Sequence, residues 1–359
     1  MRVLYIPNER PTRTQTGYRR ALSNLNESGL IDDLAIFSLQ LRILNGGDIE
    51  TEISHLLRLT KEFRPDTILI QRPQLTHLKN RHLEKLRESS SFSLIYHEAD
   101  PYALPLHPLP ASSRAVARHA DVVFTVGTGA FFSNFRRVGV KDVRFMPSGY
   151  ANDYTIEIDE TNFATKTHDV VVMANKQTPR LRGLPNWRER IKFVELLQDR
   201  FGDRLAIYGN NWEGPGAMGP SDYYKQDETV HSGWITANWD HFAEEPHYFS
   251  NRLPTALAAG SVHATTRHSG FDEIFPRETE RFLLLGDSPN HLVDLIEKKL
   301  SESPKSELIA SSLDARIFAD KHFRQDRQIV KMLNFRGLEV DPSRADEIWN
   351  VSGVINTQI

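Results

Sequence analysis

The amino-acid sequence predicts a doubly wound α/β protein built as two domains. Apolar runs of four to six residues recur along most of the chain, which is the length of an ordinary strand. They are nearly continuous rather than alternating, as strands buried on both faces of a parallel sheet require. Amphipathic segments at helical spacing separate them, and 359 residues exceed what one domain ordinarily uses.

The elements follow in order. A first series of strands is expected at Val3–Ile6, Thr67–Ile70, Phe92–Tyr96, Asp121–Val126 and Val143–Phe145. A second series is expected at Asp169–Met173, Leu205–Tyr208, Ser261–Ala264 and Phe282–Leu285. A helix over 50–63 places Ile53, Leu56, Leu57 and Leu59 on one side. Arg64 ends it, because the residue before Pro65 is pushed out of helical geometry. Residues 188–201 set Ile191, Val194, Leu197 and Phe201 at helical spacing. Between the two series, Asn152–His168 is polar, acidic and weakly periodic, and reads as the linker. The expected domains are therefore 1–155 and 165–330, followed by a helix and tail over 331–359.

Composition removes several function classes. Forty-four Lys and Arg against 47 Asp and Glu give a net charge of −3, which argues against holding nucleic acid by bulk charge. The absence of cysteine excludes disulfides, thiolate zinc sites and cysteine nucleophiles. The N-terminus has one basic residue and only five apolar or proline positions, too short for a secretory signal. No run approaches the ~18 apolar residues that span a bilayer. A cytoplasmic protein is expected, with contact to a membrane surface left open. GxSxG, GxxxxGK[ST] and HExxH patterns are all missing, and Thr16-Gly17-Tyr18 after the first strand lacks the GxGxxG form.

In open α/β sheets ligands bind beyond the carboxyl ends of strands, so the loops there are the candidate sites. Gly209 and Asn210, with Asn211 and Trp212, follow one strand: a backbone that can approach a ligand, or a plain turn with an exposed ring. Lys176, Arg180 and Arg182 form a cationic loop suited to a diphosphate, although any one of them could be a solvated surface charge. Asn251, Arg252 and Thr255 open a helix that Gly260 closes, with Pro254 in its first turn, and free helix amides attract anions. Gly270, Asp272 and Glu273 follow the next strand; the carboxylates could meet sugar or ribose hydroxyls, or merely start a helix. In the first half, His97 and Asp100 end a strand and are candidates for a general base. The neighbouring Glu98 and His107 invite a metal reading, but no second ligand group stands at fixed spacing, and no metal is expected.

The stretch YFSNRLPTALAAGSVHATTRHSGFDEIF, with LAIYGNNW upstream, HSGW at His231 and ADKHFRQDRQIVKML downstream, resembles the CgeB-like (spore maturation protein type) glycosyltransferases over residues 168–333. The resemblance implies a GT-B fold, two Rossmann-like domains facing a cleft, with the last helix crossing back to the first domain. It implies a nucleotide diphosphate-sugar donor on the C-terminal domain, lined by Gly209, Asn251, Arg252 and Gly270. The acceptor, a glycan, lipid-linked or protein hydroxyl, would face the N-terminal domain, and no cofactor or metal is implied. Many GT-B transferases carry two glutamates eight residues apart; here those positions are His247 and Thr255, with Glu244 and Glu245 nearby. A sugar-nucleotide epimerase and a non-catalytic sugar-nucleotide-binding protein are the alternative readings.

Overall fold

The computed structural model describes residues 1–103, 107–151, 162–177 and 183–341. The chain divides into two compact units, one formed by Met1–Pro147 with the segment from Gln325 onward, the other by Ser148–Arg324.

In the first unit, strands β1 (Arg2–Ile6), β2 (Asp33–Ile36), β3 (Thr67–Gln71), β4 (Ser93–Glu98), β5 (Val122–Thr125) and β6 (Val143–Phe145) form one sheet in the order β2-β1-β3-β4-β5-β6. All are parallel. Helices α1 (Thr16–Glu27), α2 (Leu39–Leu44), α3 (Ile49–Phe63), α4 (Asn80–Ser89), α5 (Ala111–His119) and α6 (Ala130–Arg137) make the crossovers. Strand alternation divides the apolar residues between two faces. Leu4, Ile6, Ile68, Ile70, Leu94 and Tyr96 pack with Leu39, Ile53, Leu83 and Val116. On the other face Val3, Tyr5, Leu69, Ile95 and Val122 pack with Leu22 and Leu25 of α1. Helix α3 starts where the Asp48 side chain accepts from the Thr51 amide and ends at Arg64, whose backbone turns left-handed at φ 48°.

The second unit repeats the plan with β7 (His168–Met173), β8 (Leu205–Tyr208), β9 (Ala217–Gly219), β10 (Gly233–Ala237), β11 (Val262–Thr266) and β12 (Leu283–Gly286). Their order is β12-β11-β10-β7-β8-β9, again parallel. Its helices are α7 (Trp187–Phe201), α8 (Gln226–His231), α9 (Arg252–Ala258), α10 (Phe271–Ile274), α11 (Pro289–Glu302) and α12 (Lys305–His322). The final helix, α13 (Gln325–Asn334), belongs to the first unit. It lies on α1, where the Tyr18 hydroxyl donates to Gln328 Oε1 at 2.8 Å and Ile329, Val330 and Leu333 complete the core.

The apolar runs all lie within or across strands; most of these are central and doubly buried, while β6 and β12 are partly buried edges that are apolar all the same. Strands β2, β9 and β10 have no counterpart among those runs. β2 and β9 are sheet edges and only partly buried, so they need no continuous apolar sequence. β10 is central but reads Gly-Trp-Ile-Thr-Ala; its buried Thr236 is satisfied by the His263 Nδ1 at 2.8 Å. Of the expected linker, 152–161 lie outside the described residues, as does the tail from 342. Among the described residues no helix is long and apolar enough to cross a membrane.

Candidate functional site

A doubly wound sheet has a switch point, where successive strands are added first to one side and then to the other, and a crevice opens there beyond the strand ends. In the second unit it falls between β7 and β10, in the first between β1 and β3.

Charged side chains gather at the switch point of the second unit. Arg252, opening α9, donates through Nε to the carbonyl of Met173, the last residue of β7. Arg190, on the first turns of α7, donates through Nε to the Trp239 carbonyl just beyond β10 at 2.6 Å. Among the described residues, neither guanidinium places an Nη group on a protein acceptor. Arg190 is buried, and burial first, then the charge of Arg252, pushes it down to about 9. Arg252 is lowered too, by burial, with Asp240 opposing. Two cations that oppose one another and whose Nη groups lack acceptors among the described residues are what an anion would satisfy.

Asp240 is the buried carboxylate of the cluster. It accepts from Asn238 Nδ2 at 2.6 Å and from Thr265 Oγ1 at 3.3 Å, and His268 Nε2 lies 3.2 Å from Oδ2. Burial works to raise it, but the His268 bond and charge and the two arginines outweigh that and bring it down to about 2. Among the described residues, the buried Trp239 Nε1 and Asn238 Oδ1 have no partner.

Most of the sequence-expected residues lie on this same edge. Lys176 follows β7, reaches Glu195 at 3.7 Å and lies over the Trp212 ring at 5.3 Å. Gly209 and Asn210 follow β8. A Cβ on Gly209 would stand 2.0 Å from the Ala174 carbonyl oxygen, so only glycine allows the two loops to touch. Asn210 donates its amide to Asn175 Oδ1 at 2.8 Å. Asn251 is exposed at the start of α9, and the Thr255 hydroxyl donates to its carbonyl at 2.9 Å. Gly270 turns left-handed at φ 80°, and the His247 ring fills the space where its Cβ would be. Asp272 and Glu273 are exposed on the first turn of α10, and Glu273 lies 3.2 Å from His247 Nε2. His231 is not with them. It precedes β10, at the amino edge of the sheet, buried with Nδ1 2.7 Å from the Ala259 carbonyl. Arg180 and Arg182 lie outside the described residues.

In the first unit, Arg72 follows β3 with a strained φ of 43° and pairs with Asp100 beyond β4 at 2.6 Å. Gln74 Nε2 donates to Asp100 at 2.6 Å and to the Tyr102 hydroxyl at 2.8 Å. Glu98 is buried behind them, accepting the Asp100 amide at 3.0 Å and lying 2.5 Å from the Tyr96 hydroxyl. Burial, and then the Asp100 charge, pushes Glu98 up to about 8. His97 points to the opposite face of the strand, under Tyr18, and burial drives it down to about 3. His97 and Asp100 are thus not paired: Nδ1 of His97 faces Gln71 at 3.4 Å, and Asp100 is held by Arg72 and Gln74.

Arg190, Asp240 and Arg72 are absent from the sequence-based candidates, and His268 falls in the candidate loop around Gly270 without a role of its own. For Arg190 a signal exists: 190, 194, 197 and 201 share the buried stripe of α7, so a cation stands where an apolar residue is expected. Asp240 is hidden because β10 is not recognisable as a strand.

Residues 188–333 match the model of the family described as Glycosyl transferase-like. No curated protein matches the chain. Among solved structures it is similar to HepE from Anabaena in complex with UDP and glucose, 12% identical over 93% of this chain and 99% of that one, with a TM-score of 0.57. Sucrose-phosphate synthase from Thermosynechococcus elongatus is 14% identical over 94% and 98% of the two chains, at a TM-score of 0.58. The DNA-modifying enzyme β-glucosyltransferase is 12% identical over 98% of each, at 0.54. The fold is GT-B. At these identities the likeness concerns the fold, and the GT-B plan accounts for the two switched sheets found in one chain.

Proposed function

We propose that this GT-B protein is a glycosyltransferase that moves a sugar from a nucleotide diphosphate donor to an acceptor hydroxyl, in the manner of the CgeB-like enzymes. The observation that carries the reading is the pair of guanidiniums, Arg190 and Arg252, with unfilled Nη groups at the switch point of the second unit. A transferred sugar leaves a diphosphate behind, and fixed cations in a dry site stabilise that developing charge without a metal. Lys176, and Arg180 and Arg182, would add to the same field. Gly209, Asn210, Asn251 and Gly270 would bring backbone close to the nucleotide, and Asp272 and Glu273 would meet hydroxyls. HepE holds UDP and glucose, which makes a UDP-sugar the first donor to try.

The acceptor, a glycan, lipid-linked or protein hydroxyl, would be taken by the first unit. There Asp100, held by Arg72 and Gln74, would accept the hydroxyl proton if configuration is inverted. If configuration is retained, the leaving phosphate takes that proton and Asp100 orients the acceptor. His97 is less suited, because it is buried and burial, which lowers it to about 3, makes it too weak a base. A cytoplasmic site of action, with supply to polysaccharide synthesis, fits a soluble nucleotide-sugar as donor.

A melting-temperature screen against UDP, GDP, CDP, ADP and TDP, each with and without its common sugars, tests the donor site, since a ligand of the folded state raises the midpoint. One nucleotide is expected to stabilise the protein, and Arg252→Ala to abolish the effect. No response from well-folded protein would overturn the reading. Asp100→Asn should leave that response intact while transfer is lost. Conversion of the donor's sugar without any acceptor would establish an epimerase instead.

A further inference from the structure

The ring of His268 faces oxygen on both sides. Nε2 lies 3.2 Å from the Asp240 carboxylate and Nδ1 lies 3.1 Å from the Glu245 carbonyl. A neutral imidazole carries one proton, so one of its nitrogens would turn a lone pair toward an oxygen lone pair. A carbonyl oxygen cannot donate, and a carboxylate bonded by Asn238 and Thr265 is set up to accept. We infer that His268 is an imidazolium paired with Asp240, so that the pair is neutral and both Arg190 and Arg252 remain uncompensated for a doubly charged phosphate ligand. The proposal rests on the donor-site reading and deepens it, because it makes His268 a positioning residue that sets the charge of the cluster Arg190, Arg252, Asp240 and His268 at two rather than one.

The surroundings agree. The His268 side chain is fully buried, stacked on Phe271 at 5.0 Å, with the Tyr248 ring edge-on at 5.7 Å. The other histidines near Asp240 do not carry charge: burial takes His263 down to about 4 and His241 down to about 3. Asp240, brought down to about 2, is an anion throughout the working range. Without a proton on each His268 nitrogen, Asp240 would be spent against the arginines and the site would hold a single net charge.

Two isosteric substitutions separate the possibilities, with inorganic pyrophosphate as the probe. If His268 is charged, His268→Gln lowers the site from two charges to one and should weaken pyrophosphate on the order of tenfold, the effect of one charge-assisted contact. Asp240→Asn then frees the histidine to lose its proton, the sum stays at two, and affinity should hardly change. If His268 is neutral, the outcomes invert: His268→Gln leaves affinity alone and Asp240→Asn tightens it. Nitrogen NMR of histidine-labelled wild-type protein reads the ring directly and needs no variant to fold. Both His268 nitrogens resonating as protonated at pH 7 is expected; one bare nitrogen overturns the inference. Wild-type protein that ignores pyrophosphate would instead overturn the donor-site reading, whatever the state of the ring.

Discussion

Arg190→Met should make the empty protein more stable and at the same time abolish its response to diphosphates. Burial, with the charge of Arg252 second, takes Arg190 from 12.5 to about 9. A displacement of that size corresponds to at most about 5 kcal/mol of cost for keeping the guanidinium charged. The sign follows from the direction: for a base lowered in the folded state, the cost is present in full below about 9 and is relieved only as pH rises beyond it. At pH 7 it applies entirely. Methionine removes the charge, fills much of the volume and forfeits the bond to the Trp239 carbonyl, which at 2.6 Å is the side chain's recorded contact. An acceptor left unpaired costs roughly 1–3 kcal/mol, so about 2–4 kcal/mol of stabilisation remains. For a unit of this size that is on the order of 5–10 °C in melting temperature. Tryptophan fluorescence follows mainly the relevant unit, because four of the five tryptophans, Trp187, Trp212, Trp234 and Trp239, lie within Ser148–Arg324. A variant that melts below the wild type would refute the charge cost. One that still responds to pyrophosphate would refute the anion site.

Three further outcomes follow from buried groups elsewhere. Glu98 is raised from 4.5 to about 8, so its stabilising proton is lost as pH climbs through that window. Wild-type stability in urea should fall between pH 5 and 9 by at most about 5 kcal/mol, and Glu98→Gln should flatten the profile. Lys166, whose ammonium donates to the His231 and Gly233 carbonyls at 2.8 Å, is lowered by burial to about 7. Its contribution has the opposite sign: stability should rise from pH 7 toward 10.5, and Lys166→Met should remove that rise. Gly209→Ala puts a methyl group 2.0 Å from a backbone oxygen that has no side-chain freedom to move away. It should cost ~1–3 kcal/mol and weaken nucleotide binding by parting the loops after β7 and β8, both read in the same melting experiment.

What the sequence discloses here, and what it conceals, divides along burial. Central parallel strands such as β3 and β5 must be apolar on both faces, so Thr67–Gln71 and Val122–Thr125 announce themselves. The loops after β7, β8 and β11 could be found because a strand could be found before each. β10 carries threonine at a buried position that is satisfied by a histidine on the neighbouring strand, a contact with no local trace. Missing that strand hides the loop Asn238-Trp239-Asp240, and with it the carboxylate of the site. His231 shows the opposite failure. A motif position carried over from a resemblance falls at the amino edge of the sheet, where the imidazole ties α8 to the end of α9 through the Ala259 carbonyl.

The distribution of carboxylates bears on how this site differs from that of transferases with two glutamates. At the second of those positions Thr255 turns its hydroxyl back onto its own helix, and at the first His247 is occupied by Glu273 and packed against Gly270. Neither position provides an acid. Asp240 is the buried carboxylate at the switch point among the described residues, and its oxygens are taken by Asn238, Thr265 and His268. A ribose hydroxyl would therefore find no free buried carboxylate there, only the exposed Asp272 and Glu273 of α10, and affinity for a nucleotide would come mainly from its phosphates. Binding dominated by phosphates discriminates poorly among bases unless the loop at Asn175 and Asn210 supplies the difference. Comparing UDP with inorganic pyrophosphate measures that directly. If the two stabilise the protein equally at equal concentration, the nucleoside contributes little. If UDP binds 100-fold more tightly, about 2.7 kcal/mol is contributed by groups beyond the phosphates. In that case Asn210→Ala, which removes an exposed amide from the loop after β8, should return most of the difference without changing the affinity for pyrophosphate.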